Sequence, residues 1–505
     1  MLRQTGGDLL VDMVYKASIL EWSRGPRLAL WRPRMMGTRH SIAAEERPGT
    51  DMFLSGLVPL LDGHGLLTEP ALLERHSRDW AGKERCPPIA VARPRTTAEV
   101  AAVLRYCHAR AWPVVVQGGL TGLVGGATPR PDELALSLER MTGVEEFDAT
   151  ASVMVVAAGT TLATVQDTAL SEGLCFALDL PSRGSCTIGG NIATNAGGNR
   201  VMRYGMTRNL VLGLEAVLAD GTVLTSLNTV LKDNAGYDLK QLFIGTEGTL
   251  GVVTRASLRL YPEPCERMTA LVATADYSDL LALLGSLRRR LGPRLSAFEA
   301  MWDSYLECAL SVMDLPRPFG LRHPYYVLIE VELLDERSDR EATEAVLAEA
   351  LSNGGVADAV VASSGGEAAR LWYIRESAGE MLGKLAPTTA HDVSLPIGLM
   401  ESYAATVRDR CNAELGVRAF SVFGHLGDGN LHFFTALRSA EDAEALDAIV
   451  YGELPQGGSV SAEHGIGTGK KRWLGVTRSD AEILTMRALK QHLDPRGILN
   501  PGRVI

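Results

Sequence analysis

Three glycine-dense segments crowd residues 117–251, and they limit the folds open to this chain more than any other feature. The first, Gln117-Gly118-Gly119-Leu120-Thr121-Gly122-Leu123-Val124-Gly125-Gly126, directly follows an apolar run at Val114–Val116. Glycine admits positive φ and close backbone approach, so successive N–H groups in such a loop can face a pyrophosphate. Taken alone, the loop reads more readily as a structural turn; it is not a Rossmann GxGxxG and lacks the lysine of a P-loop. The second segment, Ser185-Cys186-Thr187-Ile188-Gly189-Gly190-Asn191-Ile192-Ala193-Thr194-Asn195-Ala196-Gly197-Gly198, adds small hydrogen-bonding side chains. The third, Gly245-Thr246-Glu247-Gly248-Thr249-Leu250-Gly251, repeats the theme after Asp233-Asn234-Ala235-Gly236-Tyr237-Asp238-Leu239. Three such loops together point to an extended dinucleotide laid across backbone amides.

The periodicity around these loops predicts a strand ending at Pro94, a Thr-capped helix over 98–109, a strand at 114–116, another near 153–157 and a helix opening at Thr160 or Thr161. Residues 214–224 read as a hairpin turned at Asp220-Gly221. After Pro262 and Pro264 the glycine-rich character stops, and strands (269–273, 325–331) alternate with helices (277–290, 340–351). From about Ser459 glycine returns, so the chain is expected to come back to its starting domain.

At 505 residues the chain exceeds what one hydrophobic core supports, and more than one domain is expected. No apolar run is long enough to span a bilayer. A net charge of -10 leaves no basic surplus for a phosphate backbone, which argues against nucleic acid as a partner. Cys86, Cys107, Cys175, Cys186, Cys265, Cys308 and Cys411 stand singly without CxxC spacing, and a reducing cytoplasm fits them best. Residues 1–53 are arginine-rich but carry Asp8, Asp12 and Glu21, which spoils a transit-peptide reading; with Met36 and Met52 close by, they read as an extension outside the fold or a mis-assigned start.

Three segments in the second half carry candidate chemistry. Gly424-His425-Leu426-Gly427-Asp428-Gly429-Asn430-Leu431-His432 has apolar flanks and an Asp-Gly-Asn turn, as a hairpin requires, and folding it brings His425 and His432 together. Paired imidazoles suit a borderline divalent metal, although a histidine pair more often packs or hydrogen-bonds. Ser461-Ala462-Glu463-His464-Gly465-Ile466-Gly467-Thr468-Gly469-Lys470 sets a carboxylate beside an imidazole in a tight segment that also suits a solvated turn. Trp372-Tyr373-Ile374-Arg375-Glu376-Ser377 places an arginine at what looks like a helix start; such arginines mostly solvate surfaces, yet the guanidinium fork also matches a carboxylate.

These glycine loops resemble the cofactor loops of vanillyl-alcohol-oxidase-type FAD domains, and the surrounding chain resembles the D-lactate and D-2-hydroxyglutarate dehydrogenase branch. The resemblance runs from about Leu57 to Ile505 and includes the closing Asn500-Pro501-Gly502-Arg503, where the family usually ends in lysine. It implies an α+β fold: a two-part FAD-binding domain (54–263, rejoined by 459–505) and an α/β cap domain with an antiparallel sheet (264–458). It implies FAD contacts at Gly118, Gly119, Thr121, Gly122, Ser182, Gly189, Gly190, Asn191, Thr194, Asn195, Gly198, Glu247, Gly248 and Asn500, with Val252 an apolar neighbour. Members that tether FAD through the first loop use a histidine there; this loop has none, so non-covalent FAD is expected. The resemblance further implies metal ligands at His425, His432 and Glu463, a base at His464 and a substrate anchor at Arg375, with zinc the first choice of metal and manganese or iron the alternatives.

The implied reaction is oxidation of a D-2-hydroxy acid to the 2-oxo acid. Hydride leaves the α-carbon only as the hydroxyl proton is withdrawn, which a divalent ion and a histidine together assist, and flavin accepts the hydride. Hydroxyglutarate dehydrogenases typically carry a lysine at the position of Ala390 and an asparagine at that of Phe434. Losing both weakens recognition of a second carboxylate and favours lactate-like or longer aliphatic or aromatic acids, with D-2-hydroxyglutarate retained as a candidate. His391 stands next to the missing lysine, a poor replacement when neutral. Two other readings compete: a non-redox enzyme resembling alkyl-glycerone-phosphate synthase, which needs no histidine hairpin, and a FAD relay subunit, which needs neither Arg375, Glu463 nor His464. The electron acceptor (quinone, cytochrome or electron-transfer flavoprotein) leaves no motif; a homodimer and peripheral attachment to a membrane through the acceptor are compatible with the sequence.

Overall fold

Residues 49–80, 82 and 85–505 are described in the computed structural model, so the reading of the extension lies, up to residue 48, outside the described residues. The fold begins slightly earlier than residue 54. A helix spans Thr50–Leu57 and buries Phe53, whose ring stacks on Trp112 at 3.9 Å between centroids; burying one such side chain contributes about 2–3 kcal/mol.

The chain then builds a small mostly parallel sheet in the order Leu66–Leu67, Ala90–Ala92, Leu134–Ser137, Val114–Gln117. The helix Thr97–Ala109 connects two of these strands and turns Val100, Val103, Leu104 and Cys107 inward, a 3.6-residue spacing. Thr96 caps it by accepting from the Glu99 amide. The strands either side of this helix do not pair with each other: Leu134–Ser137 lies between them, parallel to both. The helix–strand periodicity carries no information about that insertion.

A second sheet, antiparallel throughout, follows the order Val144–Asp148, Val153–Ala157, Val252–Arg259, Val211–Val217, Val223–Ser226. Its last two strands form the hairpin expected around Asp220-Gly221. Leu162–Ser171, capped by Thr161, covers one side.

The third sheet has seven antiparallel strands in the order Asp358–Val361, Glu266–Thr274, Tyr325–Leu333, Leu295–Trp302, Ala419–His425, Asn430–Ala436, Thr388–Ser394. One face packs on the helices Tyr277–Leu291, Glu336–Ser352 and Met400–Arg410 through Phe298, Ala300, Val327, Val422, Phe433 and Val393. The other face carries Glu299, Met301, Leu328, Phe423 and Phe434, and the helices Asp303–Met313 and Gly365–Glu376 cover part of it. Strand Leu295–Trp302, absent from the sequence reading, has all eight residues buried.

The closing segment adds to the first sheet. Val114 donates its N–H to Ile498 O and accepts from the Asn500 N–H, both at 2.8 Å. Among the described residues no helix is long and apolar enough to cross a membrane.

Candidate active site

The glycine loops meet one another directly. A Cβ at Gly118 would stand 2.6 Å from Thr187 Oγ1, and one at Gly119 only 2.0 Å from Ser185 O, so the first loop lies against the second with no room for a side chain. Gly189, Gly190, Asn191 and Thr194 belong to the short helix Ile188–Thr194, Asn195 ends it in a left-handed conformation, and Ser182 accepts at its carbonyl from the amides of Ser185 and Cys186. The third loop docks on that helix: Gly245 N–H donates to Ile192 O at 3.0 Å and Glu247 N–H to Ala193 O at 2.8 Å. Asn500 ties the arrangement together, accepting at Oδ1 from Val116 N–H at 2.8 Å and donating from Nδ2 to Glu247 O at 2.5 Å.

Glu247 turns its carboxylate toward protein backbone. Its carboxylate accepts from Ile466 N–H (2.7 Å) and Gly467 N–H (2.9 Å), which links the third loop to the Glu463-His464 segment. Burial pushes its carboxyl up, and the two N–H groups oppose that. Thr121 and Gly122 lie in the first loop, where a Cβ at Gly122 would approach Asp79; Gly198 sits against Asp179 O. These loops suit a dinucleotide. Their glycines hold backbone to backbone, and Thr187 Oγ1, buried where Gly118 and Gly190 converge, has no hydrogen-bond partner among the described residues.

The histidine hairpin folds as its turn demands, with Gly429 at φ +87°. Cross-strand register then places four polar residues on one face. Glu299 stands opposite His425, Phe423 opposite His432, and Asp392 opposite His432 on its other side. Ligand atoms of His425, His432 and Glu463 all lie within 4.8 Å of one another, the spacing a single divalent ion requires of three ligands. Glu463 reaches the hairpin from the second glycine loop's side, since a Cβ at Gly197 would touch its Oε1 at 2.8 Å. The candidate metal-ligating set therefore adjoins a candidate cofactor loop.

Two carboxylates that the sequence reading missed organise this cluster. Glu299 Oε1 accepts from His425 Nδ1 at 2.8 Å, which leaves Nε2 facing Glu463 at 3.6 Å; such an outer carboxylate fixes tautomer and ring orientation. Its Oε2 accepts from Arg375 Nε (3.0 Å) and Nη2 (2.7 Å). Asp392 Oδ2 accepts from the backbone N–H groups of Ala462, Glu463 and His464 at 2.8–3.1 Å, while Oδ1 takes His464 Nδ1 at 3.1 Å and the Lys470 ammonium. One carboxylate thereby shapes the turn and aims the imidazole, whose ring centroid lies 6.0 Å from that of His432. Glu299 sits inside a largely apolar, fully buried strand, Leu295–Trp302, an unusual place for a carboxylate, whereas Asp392 lies in the mostly polar strand Thr388–Ser394.

The electrostatics follow from this crowding. Burial disfavours charge on His425, but Glu299 and Glu463 outweigh it and push its pKa up to about 9. Burial, reinforced by the charges of His425, Arg375 and His464, drives His432 far below the usual imidazole range, so its ring stays neutral. Burial raises Asp428 to about 7. Although burial opposes it, His464 and Lys470 hold Asp392 well below the usual carboxylate range.

Two details differ from the sequence reading. Arg375 lies in the last turn of the helix Gly365–Glu376, not at a helix start; the Ser364 cap, which accepts from Glu367 N–H, was hidden by Gly365-Gly366. Its guanidinium is buried over the Phe423 ring at 4.8 Å. His391, neighbour of Asp392 in the strand, points to the opposite face, where Nε2 meets Asp447 at 2.9 Å and the ring packs near Tyr451. Strand alternation excludes it as a replacement for the missing cation.

Residues 88–226 match the FAD binding domain family, and residues 263–504 match the C-terminal domain of FAD linked oxidases. The D-2-hydroxyglutarate dehydrogenase, mitochondrial, of Bos taurus is 40% identical over 98% of this chain and 90% of its own length. The D-2-hydroxyglutarate dehydrogenase of Xanthomonas citri pv. viticola is 40% identical over 90% of this chain and 97% of its own. A putative D-lactate dehydrogenase of Schizosaccharomyces pombe is 36% identical over 88% of this chain and 87% of its own. Among solved structures, 4-ethylphenol oxidase of Gulosibacter chungangensis aligns with TM-score 0.71 at 18% identity, covering 90% of this chain and 96% of that one. Alkyldihydroxyacetonephosphate synthase aligns at 0.69 and 16%, covering 89% and 84%. At such identities the likeness is one of fold. The chain is an FAD-linked oxidoreductase of the vanillyl-alcohol-oxidase type and belongs to the family that contains the D-2-hydroxyglutarate and D-lactate dehydrogenases.

Proposed function

We propose that this chain oxidises a D-2-hydroxy acid to the corresponding 2-oxo acid with non-covalent FAD and a divalent cation. The observation that carries the reading is the convergence of His425, His432 and Glu463 within 4.8 Å beside His464, itself held by Asp392. FAD when bound supplies a hydride acceptor, and a divalent cation held by His425, His432 and Glu463 supplies Lewis acidity toward the substrate hydroxyl. The first loop has no histidine, which supports non-covalent attachment.

His464 acts as the base. Asp392 accepts at His464 Nδ1, so that nitrogen carries the hydrogen and Nε2 offers its lone pair to the 2-hydroxyl. Asp392 stays ionised and stabilises the imidazolium formed when His464 takes the proton. Arg375 is held along its Nε–Nη2 edge by Glu299, which directs its Nη1 edge to the substrate carboxylate. Electrons then pass to an external acceptor.

The same sheet face continues one pleat beyond His432 to Phe434, paired with Ala390. Neither offers a charge to a distal carboxylate, which supports a substrate with an uncharged tail. The likeness to alkyldihydroxyacetonephosphate synthase extends to fold alone and gives no reason for a metal-ligating hairpin. A dye-linked assay with D- and L-2-hydroxy acids checks the proposal: turnover is expected with D-acids only, and kcat/KM is expected to be higher for D-lactate or D-2-hydroxybutyrate than for D-2-hydroxyglutarate. Turnover restricted to D-2-hydroxyglutarate would overturn the assignment of the tail.

A further inference from the structure

Asn430 opens the second strand of the histidine hairpin on the same face as His432. Extending the Phe423–His432 register by one pleat sets it across from His425, and on its other side it pairs with Ser394. It is 3% exposed, yet neither Oδ1 nor Nδ2 has a hydrogen-bond partner among the described residues. Only its backbone is engaged, donating to Asp428 Oδ1 at 3.2 Å. Burying an unpaired amide costs stability, and a leucine of similar size would not incur that cost. The neighbouring polar side chains Glu299, His425 and Asp392 all have protein partners.

We propose that Asn430 is a substrate-binding residue, donating from Nδ2 to the carboxylate of the hydroxy acid. This rests on the reading of the site given above. Around the candidate ligands Asn430 Nδ2 is a donor without a partner among the described residues, the Arg375 guanidinium supplies further N–H groups, and His464 Nε2 supplies a lone pair. A 2-hydroxy acid complements that set. Its carboxylate oxygens accept from the two donors, and its hydroxyl hydrogen faces the imidazole. Because Glu299 already balances the charge of Arg375, a neutral second donor strengthens carboxylate binding without adding an uncompensated cation.

The test compares Asn430→Leu and Asn430→Ser with the wild-type holoenzyme. Affinity is read from the concentration dependence of anaerobic flavin reduction by D-lactate and from the flavin spectral shift on titration with oxalate, an unreactive carboxylate. Both dissociation constants are expected to rise about tenfold or more, with FAD stoichiometry unchanged and the substrate-free melting temperature of Asn430→Leu no lower than wild type. Constants within twofold of wild type, or lost FAD with unchanged constants in the remaining holoenzyme, would overturn the proposal, the latter by assigning the amide to the cofactor. A wild-type protein that no 2-hydroxy acid reduces would instead sink the reading of the site itself, whereas wild-type reduction with unaltered variants sinks only the role of Asn430.

Discussion

Asp392 and Glu299 show how much of this site depends on residues that need not touch a substrate. Asp392 joins three backbone amides, an imidazole and an ammonium, so it sets both the shape of the Glu463-His464 turn and the direction of the His464 lone pair. Asp392→Asn is expected to retain FAD while lowering kcat by about 10²–10⁴-fold, because an amide holds the imidazole in the wrong tautomer; stopped-flow flavin reduction checks it, and an unchanged rate would remove Asp392 from the mechanism. Glu299→Gln keeps the size of the side chain but loses the carboxylate that orients His425. Metal affinity should fall about 10–100-fold, as read by competition with a chromophoric chelator. His464→Ala separates the roles further: FAD and metal stoichiometries stay at wild-type values while turnover is lost.

At the scale of elements, the loops are held by backbone contacts that admit no side chain. Gly119→Ala would drive its Cβ against Ser185 O, 2.0 Å away, and the expected outcome is protein with much less FAD, measured by the ratio of visible to ultraviolet absorbance; full occupancy would show that the first loop can shift without cost. Which elements the sequence disclosed follows from how local their signals are. The Asp428-Gly429-Asn430 turn, the Thr96 and Thr161 caps and the 3.6-residue spacing of Thr97–Ala109 are all local, and each was readable. Strand Leu295–Trp302 was not, because a fully buried run of mixed apolar residues lacks the alternation that distinguishes a strand from a helix. Glu299 was missed along with its strand. Asp392 was in plain view, but its significance depends on a contact with residues about seventy positions later. The face of His391 required the register of the strand, which no local pattern supplies.

Across the whole molecule, the chain's last residues lock the first sheet. Arg503 is buried, and its Nη1 and Nη2 engage both oxygens of Glu133 at 2.8 and 2.7 Å while Nη2 also donates to Thr128 O. That forked geometry suits arginine at this position, since an ammonium cannot make the paired bonds. Glu133→Ala strands the buried guanidinium and should cost about 3–5 kcal/mol, measured as a lower urea midpoint with unchanged slope. The glycine loops and the seven-stranded sheet meet through a second buried network, in which Arg200 joins Asp179 (2.9 Å) to Glu330 (2.8 Å) and Tyr204 donates to Glu332 at 2.6 Å. These contacts hold the loops that suit the cofactor against the face that carries the histidines. The most direct test of that union is anaerobic flavin bleaching by D- and L-2-hydroxy acids before and after chelator treatment. Bleaching by D-acids alone, abolished by the chelator and restored by a divalent metal, is the predicted result; a yellow protein bleached equally well without metal, or by none of the acids, would contradict it.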